Sequence, residues 1–157
     1  MGFWIQTGAL LVSATAAVWV IRASDRSQQR RATIELVIHQ KLDDKLRNAK
    51  AYVAALHEKQ EGNWAKYLEQ PHSDEISHLM TVLNNYEFIA SGIHQDALDG
   101  RLFKSMQYSV VVRDWAALKP LVMELRRKWE RDTLFQEFEE LAAKWKGLPL
   151  KKRRLFD

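Results

Sequence analysis

Cysteine is missing from all 157 residues, which excludes a disulfide framework, a thiolate metal site and a cysteine nucleophile. That absence agrees with a reducing compartment. Proline and glycine are scarce, with three and six copies, and neither occurs between Gly8 and Gly62. Nothing in the local chemistry therefore compels a helix that begins near the start of the chain to stop early. Charge is absent from Met1 to Ile21, and the first ionisable side chains beyond that stretch are Arg22, Asp25, Arg26, Arg30 and Arg31.

An α-helix rises about 1.5 Å per residue, so this uncharged stretch reaches roughly 30 Å, the hydrocarbon thickness of a bilayer. Trp4 and Trp19 stand near its two ends, where an indole prefers the headgroup level, and Arg22, Arg26, Arg30 and Arg31 stand on one side only. The pattern predicts a transmembrane anchor over 1–21, a basic juxtamembrane segment over 22–33, and a lipid bilayer as first partner. The N-terminus is then outside and the long C-terminal part cytoplasmic. A cleavable signal peptide with Ala14-Thr15-Ala16 as its cleavage site is the rival reading. It lacks positive charge before the apolar stretch, and Val18 to Ile21 continue the apolar character past the cut. Within the segment, Ala9, Ser13 and Ala17 repeat every four residues, the small-residue spacing that lets two membrane helices approach closely.

Roughly 130 residues follow, enough for one domain with a modest core or for a stalk and a small domain. Lys+Arg against Asp+Glu runs 10 to 7 over 22–70, 3 to 6 over 71–118 and 11 to 7 over 119–157, which sums to the net +4. The middle is acidic and both flanks are basic. Basic residues beside a membrane are expected from orientation and from attraction to anionic lipid, so they do not require nucleic acid.

Beyond the basic segment the chain reads as all-α, a small helical bundle over 34–146 followed by a basic tail over 147–157. The membrane helix either continues into the cytoplasm or breaks near 22–33, where Ser24, Asp25 or Thr33 offers a fresh cap. His39, Leu42, Leu46, Ala49, Val53 and Leu56 then form an amphipathic stripe with Ile34 and Ile38 beside it. The stripe is too short for a coiled coil and favours packing in a bundle over a self-associating stalk. Gly62-Asn63 closes this helix, leaving a turn at Trp64 to Leu68. Ser73 or Asp74 caps the next, which presents Ile76, Leu79, Met80, Leu83, Tyr86 and Ala90 and stops at a left-handed Gly92. Asp96 or Asp99 opens a helix with Phe103, Met106, Val110, Val111, Trp115 and Leu118. Pro120 kinks it or begins another carrying Leu121, Leu125 and Trp129. Asp132 or Thr133 caps the last helix, with Phe135, Phe138, Leu141, Ala142 and Trp145 on its core face and Gly147 and Pro149 at its end.

Few residues point to chemistry. Glu87 falls on or beside the apolar stripe of its helix, where a carboxylate is costly unless partnered. Arg113 is the expected partner in a structural ion pair, with Asp114 a competitor for the guanidinium and Asn84 and Asn85 in the same network. The five histidines give no metal spacing, and no phosphate loop, dinucleotide fingerprint or nucleophile elbow occurs. No cofactor and no catalytic residue is predicted. In the tail, Lys151, Lys152, Arg153 and Arg154 precede Leu155-Phe156, a pattern suited to a disordered, solubilising end, to anionic lipid, less to nucleic acid, or to a short docking peptide such as those read by cyclins.

Asn84-Asn85-Tyr86-Glu87-Phe88-Ile89-Ala90 with Gly92-Ile93, Val112-Arg113-Asp114-Trp115, Lys119-Pro120, and Phe135 to Ala142 with Trp145 together resemble a bacterial and phage-associated family of unknown function. The resemblance spans roughly 30 to 146. It implies a short protein with one N-terminal membrane helix and a helical cytoplasmic part, and supplies no activity. The expected function is an accessory or scaffold part of a bacterial inner-membrane assembly, acting through a protein partner or a second copy. The alternatives are a phage-linked membrane protein affecting infection, and membrane-tethered binding of nucleic acid or anionic lipid through the tail.

Overall fold

Apolar residues at helical spacing close a single core in the computed structural model, which describes the backbone of residues 2–59, 64–69 and 73–151. The side chains of 2–15, 58, 59, 65 and 66 lie outside that description. Six helices occur among the described residues and no strand does: α1 Gly2–Leu42, α2 Asp44–Lys59, α3 Ala65–Glu69, α4 Asp74–His94, α5 Gly100–Trp129 and α6 Gln136–Gly147. α2 and α6 each pack against α4 and α5, and α1 leans on α2 and on the start of α5.

α1 is continuous through 22–33, so none of Ser24, Asp25 and Thr33 begins a new helix. The break comes at Asp43, whose carboxylate accepts from the Leu46 amide at 3.0 Å and so caps α2. This break changes which residues face the core. Leu46, Ala49, Val53 and Leu56 are buried as expected, but His39 and Leu42 are exposed, and Val37 and Thr33 take their place. Val37 and Leu46 are nine residues apart, roughly two and a half helical turns, so in a straight helix they would point opposite ways. Interrupting the helix at Asp43 lets both segments face inward. Ile34 and Ile38 remain on the outward side at 47% and 50% exposure.

Ser73 caps α4, its hydroxyl accepting from the Ile76 amide. The helix passes through Gly92 to His94, and the left-handed residue that ends it is Asp96, at φ 55°. Gly92 serves close approach instead: a Cβ there would stand 2.8 Å from Leu98 Cδ1, and a Cβ on Gly100 would stand 2.7 Å from Ile93 Cγ2. The tight turn that results delivers Asp99 to cap α5, accepting from the amides of Arg101 and Leu102 at 3.0 Å each. α5 runs unbroken past Pro120, and Val110 to Val112 are helical within it.

Thr33 fastens α1 to this turn. Its hydroxyl donates to the Gln29 carbonyl at 2.7 Å and accepts from the Asp99 amide at 2.9 Å. Gln29 Nε2 donates to the Asp96 carbonyl at 2.7 Å, and Arg30 pairs with the Asp99 carboxylate at 3.3 Å. Thr33 is fully buried, so replacing it by valine leaves the Asp99 amide without an acceptor. Thr33→Val is expected to cost about 1–3 kcal/mol, and Thr33→Ser distinctly less. Thermal unfolding of the full chain in mild detergent checks this; equal losses for the two variants would deny the hydroxyl its role.

Candidate functional site

Phe135 occupies the N-cap position of α6 in the left-handed region, at φ 58°, and has no side-chain oxygen to offer the first amides of that helix. Glu87 of α4 supplies one. Its two carboxylate oxygens accept from the Glu137 amide at 3.3 Å and the Phe138 amide at 2.9 Å. The structure thus does not bring Glu87 and Arg113 together: the half-buried carboxylate meets a helix N-terminus, where free amides and the helix dipole favour negative charge. The neighbouring Tyr86 ring stacks on Phe138 with centroids 4.6 Å apart, and Trp115 meets Phe138 edge-on at 5.0 Å. Adjacent residues of α4 therefore hold both the side chain and the amide of Phe138.

Arg126 completes the junction. It donates to the Leu134 carbonyl at 2.9 Å and pairs with Glu139 at 2.7 Å, fixing the loop between α5 and α6. Burial pushes the Glu87 carboxyl above its ordinary value, Glu137 adds to the rise, and the two amides and Arg126 oppose it. Asp99 behaves in the opposite way: the Leu102 amide, with help from Arg30 and the Arg101 amide, holds its carboxyl below the ordinary value against the effect of burial.

Arg113 pairs with its own neighbour, donating from Nε and Nη2 to Asp114 Oδ1 at 3.0 and 2.8 Å. Asp114 is fully buried, and its other oxygen accepts from the Tyr86 hydroxyl at 2.8 Å. Lys50 of α2 lies 5.0 Å from the centre of the Tyr86 ring. Burial lowers the Lys50 ammonium from its usual range while Asp114 raises it, and burial together with Asp114 drives the Tyr86 phenol well above its own. The phenol thus remains a donor, and Lys50, Tyr86, Arg113 and Asp114 tie α2, α4 and α5 through one carboxylate. Asn85 belongs to a separate contact, accepting from Gln40 at 3.0 Å, and Asn84 is exposed.

The expected membrane-interface residues follow the outer reach of α1. Arg22, Arg26 and Arg31 are exposed, Arg30 is held by Asp99, and Trp19 is 73% exposed. Ala17 is exposed, whereas the side chains of Trp4, Ala9 and Ser13 lie outside the described residues. Among the described residues no helix is long and apolar enough to cross a membrane; the side chains of residues 2–15 lie outside the description. Lys151 is exposed; Lys152, Arg153 and Arg154 also lie outside the described residues. No cluster of His, Asp or Glu among the described residues is placed to hold a metal ion.

Sequence reasoning missed Gln29 and Arg30 as the clasp on the α4–α5 turn, and Lys50 and Arg126 as interior cations. Lys50 could have been found, because it lies four after Leu46 and three before Val53, beside a buried stripe.

Glu87→Ala is expected to cost about 1–2 kcal/mol, the usual value of a lost N-cap, and Glu87→Gln less because one acceptor oxygen is kept. The raised carboxyl fixes the sign of the pH effect. Glu87 favours folding most fully below its unfolded value near 4.5, and that contribution is lost as pH rises through the higher folded value. The stability advantage of the wild type over Glu87→Gln should therefore grow from pH 7 to pH 4. Paired melting curves at the two pH values read it directly; a shrinking advantage would reverse the assignment.

Comparison with curated proteins and with solved structures gives no match. The family described as "Domain of unknown function (DUF4760)" matches residues 7–145, beginning further toward the N-terminus than the expected span of roughly 30 to 146, and this chain belongs to that family.

Proposed function

We propose that the chain is a single-pass protein of the bacterial inner membrane, anchored by residues 1–21, whose helical domain is the cytoplasmic interaction module of a membrane assembly. It acts there as an accessory or scaffold part. The observation that carries this reading is the unpartnered surface of α1. Val18, Trp19, Val20 and Ile21 are 46%, 73%, 59% and 60% exposed. Four successive residues of a helix point to all sides, so no face of the bundle covers this apolar turn, and a bilayer supplies the non-aqueous surroundings it favours. The arginines that follow suit a cytoplasmic side.

Further along the same helix, Ile34, Ile38 and Leu42 recur every four residues and are 47%, 50% and 72% exposed. They flank the buried Thr33 and Val37 face of α1 without being covered by the bundle, and an apolar stripe left open to water suits a protein partner or a second copy. The clasp at Thr33 holds this stripe at a fixed position relative to the bundle, as a docking surface requires.

Extraction in mild detergent, isolation through a C-terminal tag and mass determination of the complex test the reading. A stoichiometric partner or a defined oligomer is expected. Ile38→Asp should weaken that association about tenfold or more while leaving the melting temperature of the chain nearly unchanged, since the residue is exposed. A lone chain in detergent, or a complex indifferent to Ile38→Asp, would contradict it.

A further inference from the structure

We propose that the cleft between α1 and the bundle binds the phosphate group of an anionic phospholipid; the inference rests on the membrane-anchored reading above. The cleft encloses about 660 Å³, within the roughly 300–1,000 Å³ of small-ligand sites. One wall is α1 before its clasp, and the other is the α4–α5 turn with the first turns of α5 and the end of α6. Arg22, Arg26 and Arg30 line one face of α1 at four-residue spacing, and Arg101, Lys104 and Lys144 line the opposite wall. Six cations thus meet three carboxylates, among them Asp99, which Arg30 already neutralises.

The remaining cations are not spoken for in the same way. Among the described residues the charged groups of Arg22, Arg26, Arg101 and Lys144 have no hydrogen-bonding or ion-pair partner. Lys104 is steered by the Leu148 carbonyl and lies 6.0 Å from the centre of the Trp145 ring. Holding like charges around one cleft is unfavourable unless an anion joins them, and a phosphate oxygen accepts from several guanidinium and ammonium groups at once.

Position selects the source of the phosphate. The cleft opens along α1 beside Arg22, one residue past the exposed apolar turn Val18 to Ile21, and Trp19 shares an adjoining hollow with Arg22 and Arg26. Cations next to exposed apolar surface match a headgroup next to its acyl chains. A nucleic-acid strand would find the cations but would leave the apolar turn uncovered.

The test uses the full chain in nanodiscs of phosphatidylcholine with a minority of phosphatidylglycerol, with retained lipid counted by native mass spectrometry. The wild type should retain phosphatidylglycerol in preference to phosphatidylcholine. Arg26→Gln with Arg101→Gln should reduce that preference roughly fivefold per cation, about twenty-five-fold for the pair. Arg31→Gln, on the same juxtamembrane stretch but outside the cleft, should reduce it distinctly less than the cleft pair does. Equal losses for the Arg31 variant and the cleft variant would mean diffuse attraction and overturn the proposal, as would no preference in the wild type. Displacement of the lipid by inorganic phosphate or by a single-stranded oligonucleotide at comparable concentration would overturn the lipid assignment. Alkaline carbonate extraction of vesicles carrying the same chain separates the two readings: a chain retained in the membrane without lipid preference defeats the cleft alone, and a chain released from it defeats the anchored reading and the cleft together.

Discussion

The helix dipole and free amides at the start of α6 set the constraint on which the bundle depends. A helix opened by phenylalanine in a left-handed conformation has no cap of its own, so its amides must find an acceptor elsewhere or be buried unpaired. Glu87 provides that acceptor from α4, fifty residues earlier, and Tyr86 beside it stacks on Phe138. Because α6 packs on both α4 and α5, fixing its first turn also fixes the loop gathered by Arg126 and the face on which Trp145 meets Phe103. One carboxylate converts a locally weak helix start into the point where the core closes.

A second polar tie sets where α1 stands. Thr33, Gln29 and Arg30 engage the turn that ends α4 and begins α5, and that turn exists in its tight form because Gly92 and Gly100 leave room for Leu98 and Ile93. The consequence reaches the surface. With α1 fastened at one turn, its basic face overhangs the start of α5, and Ile34, Ile38 and Leu42 run along the flank of its buried face, open to water. The cleft and the exposed stripe are thus two results of one helix placement.

Much of the helical plan was legible in the sequence because it depends on local spacing and capping. The stripes at Ile76 to Ala90, with Met80 only partly covered, and at Phe135 to Trp145 are buried, Ser73 and Asp99 act as caps, and the three valines at 110–112 follow helical periodicity. The readings that failed needed information across the chain. A stripe extrapolated back from Leu46 through Leu42 to His39 assumes a straight helix, and the Asp43 cap breaks that phase. Gly92 fits a helix stop by composition, yet its use is contact with Leu98. Glu87 was recognisable as a carboxylate needing a partner, but a helix N-terminus made of backbone amides leaves no residue signature, so the side chain Arg113 was chosen in its stead. Asp114, adjacent in sequence and fully buried, had the stronger claim on that guanidinium.

In the proposed arrangement α1 crosses a bilayer near its start and presents the bundle on the opposite side. The natural lack of cysteine makes this directly measurable, since an introduced thiol is the only one present. Gly2→Cys and, separately, Lys151→Cys variants would be treated in intact cells with a membrane-impermeant maleimide. Labelling is expected at position 2 without permeabilisation and at position 151 only after it. Labelling of both positions from the same side, with the chain recovered free of membranes, would contradict it.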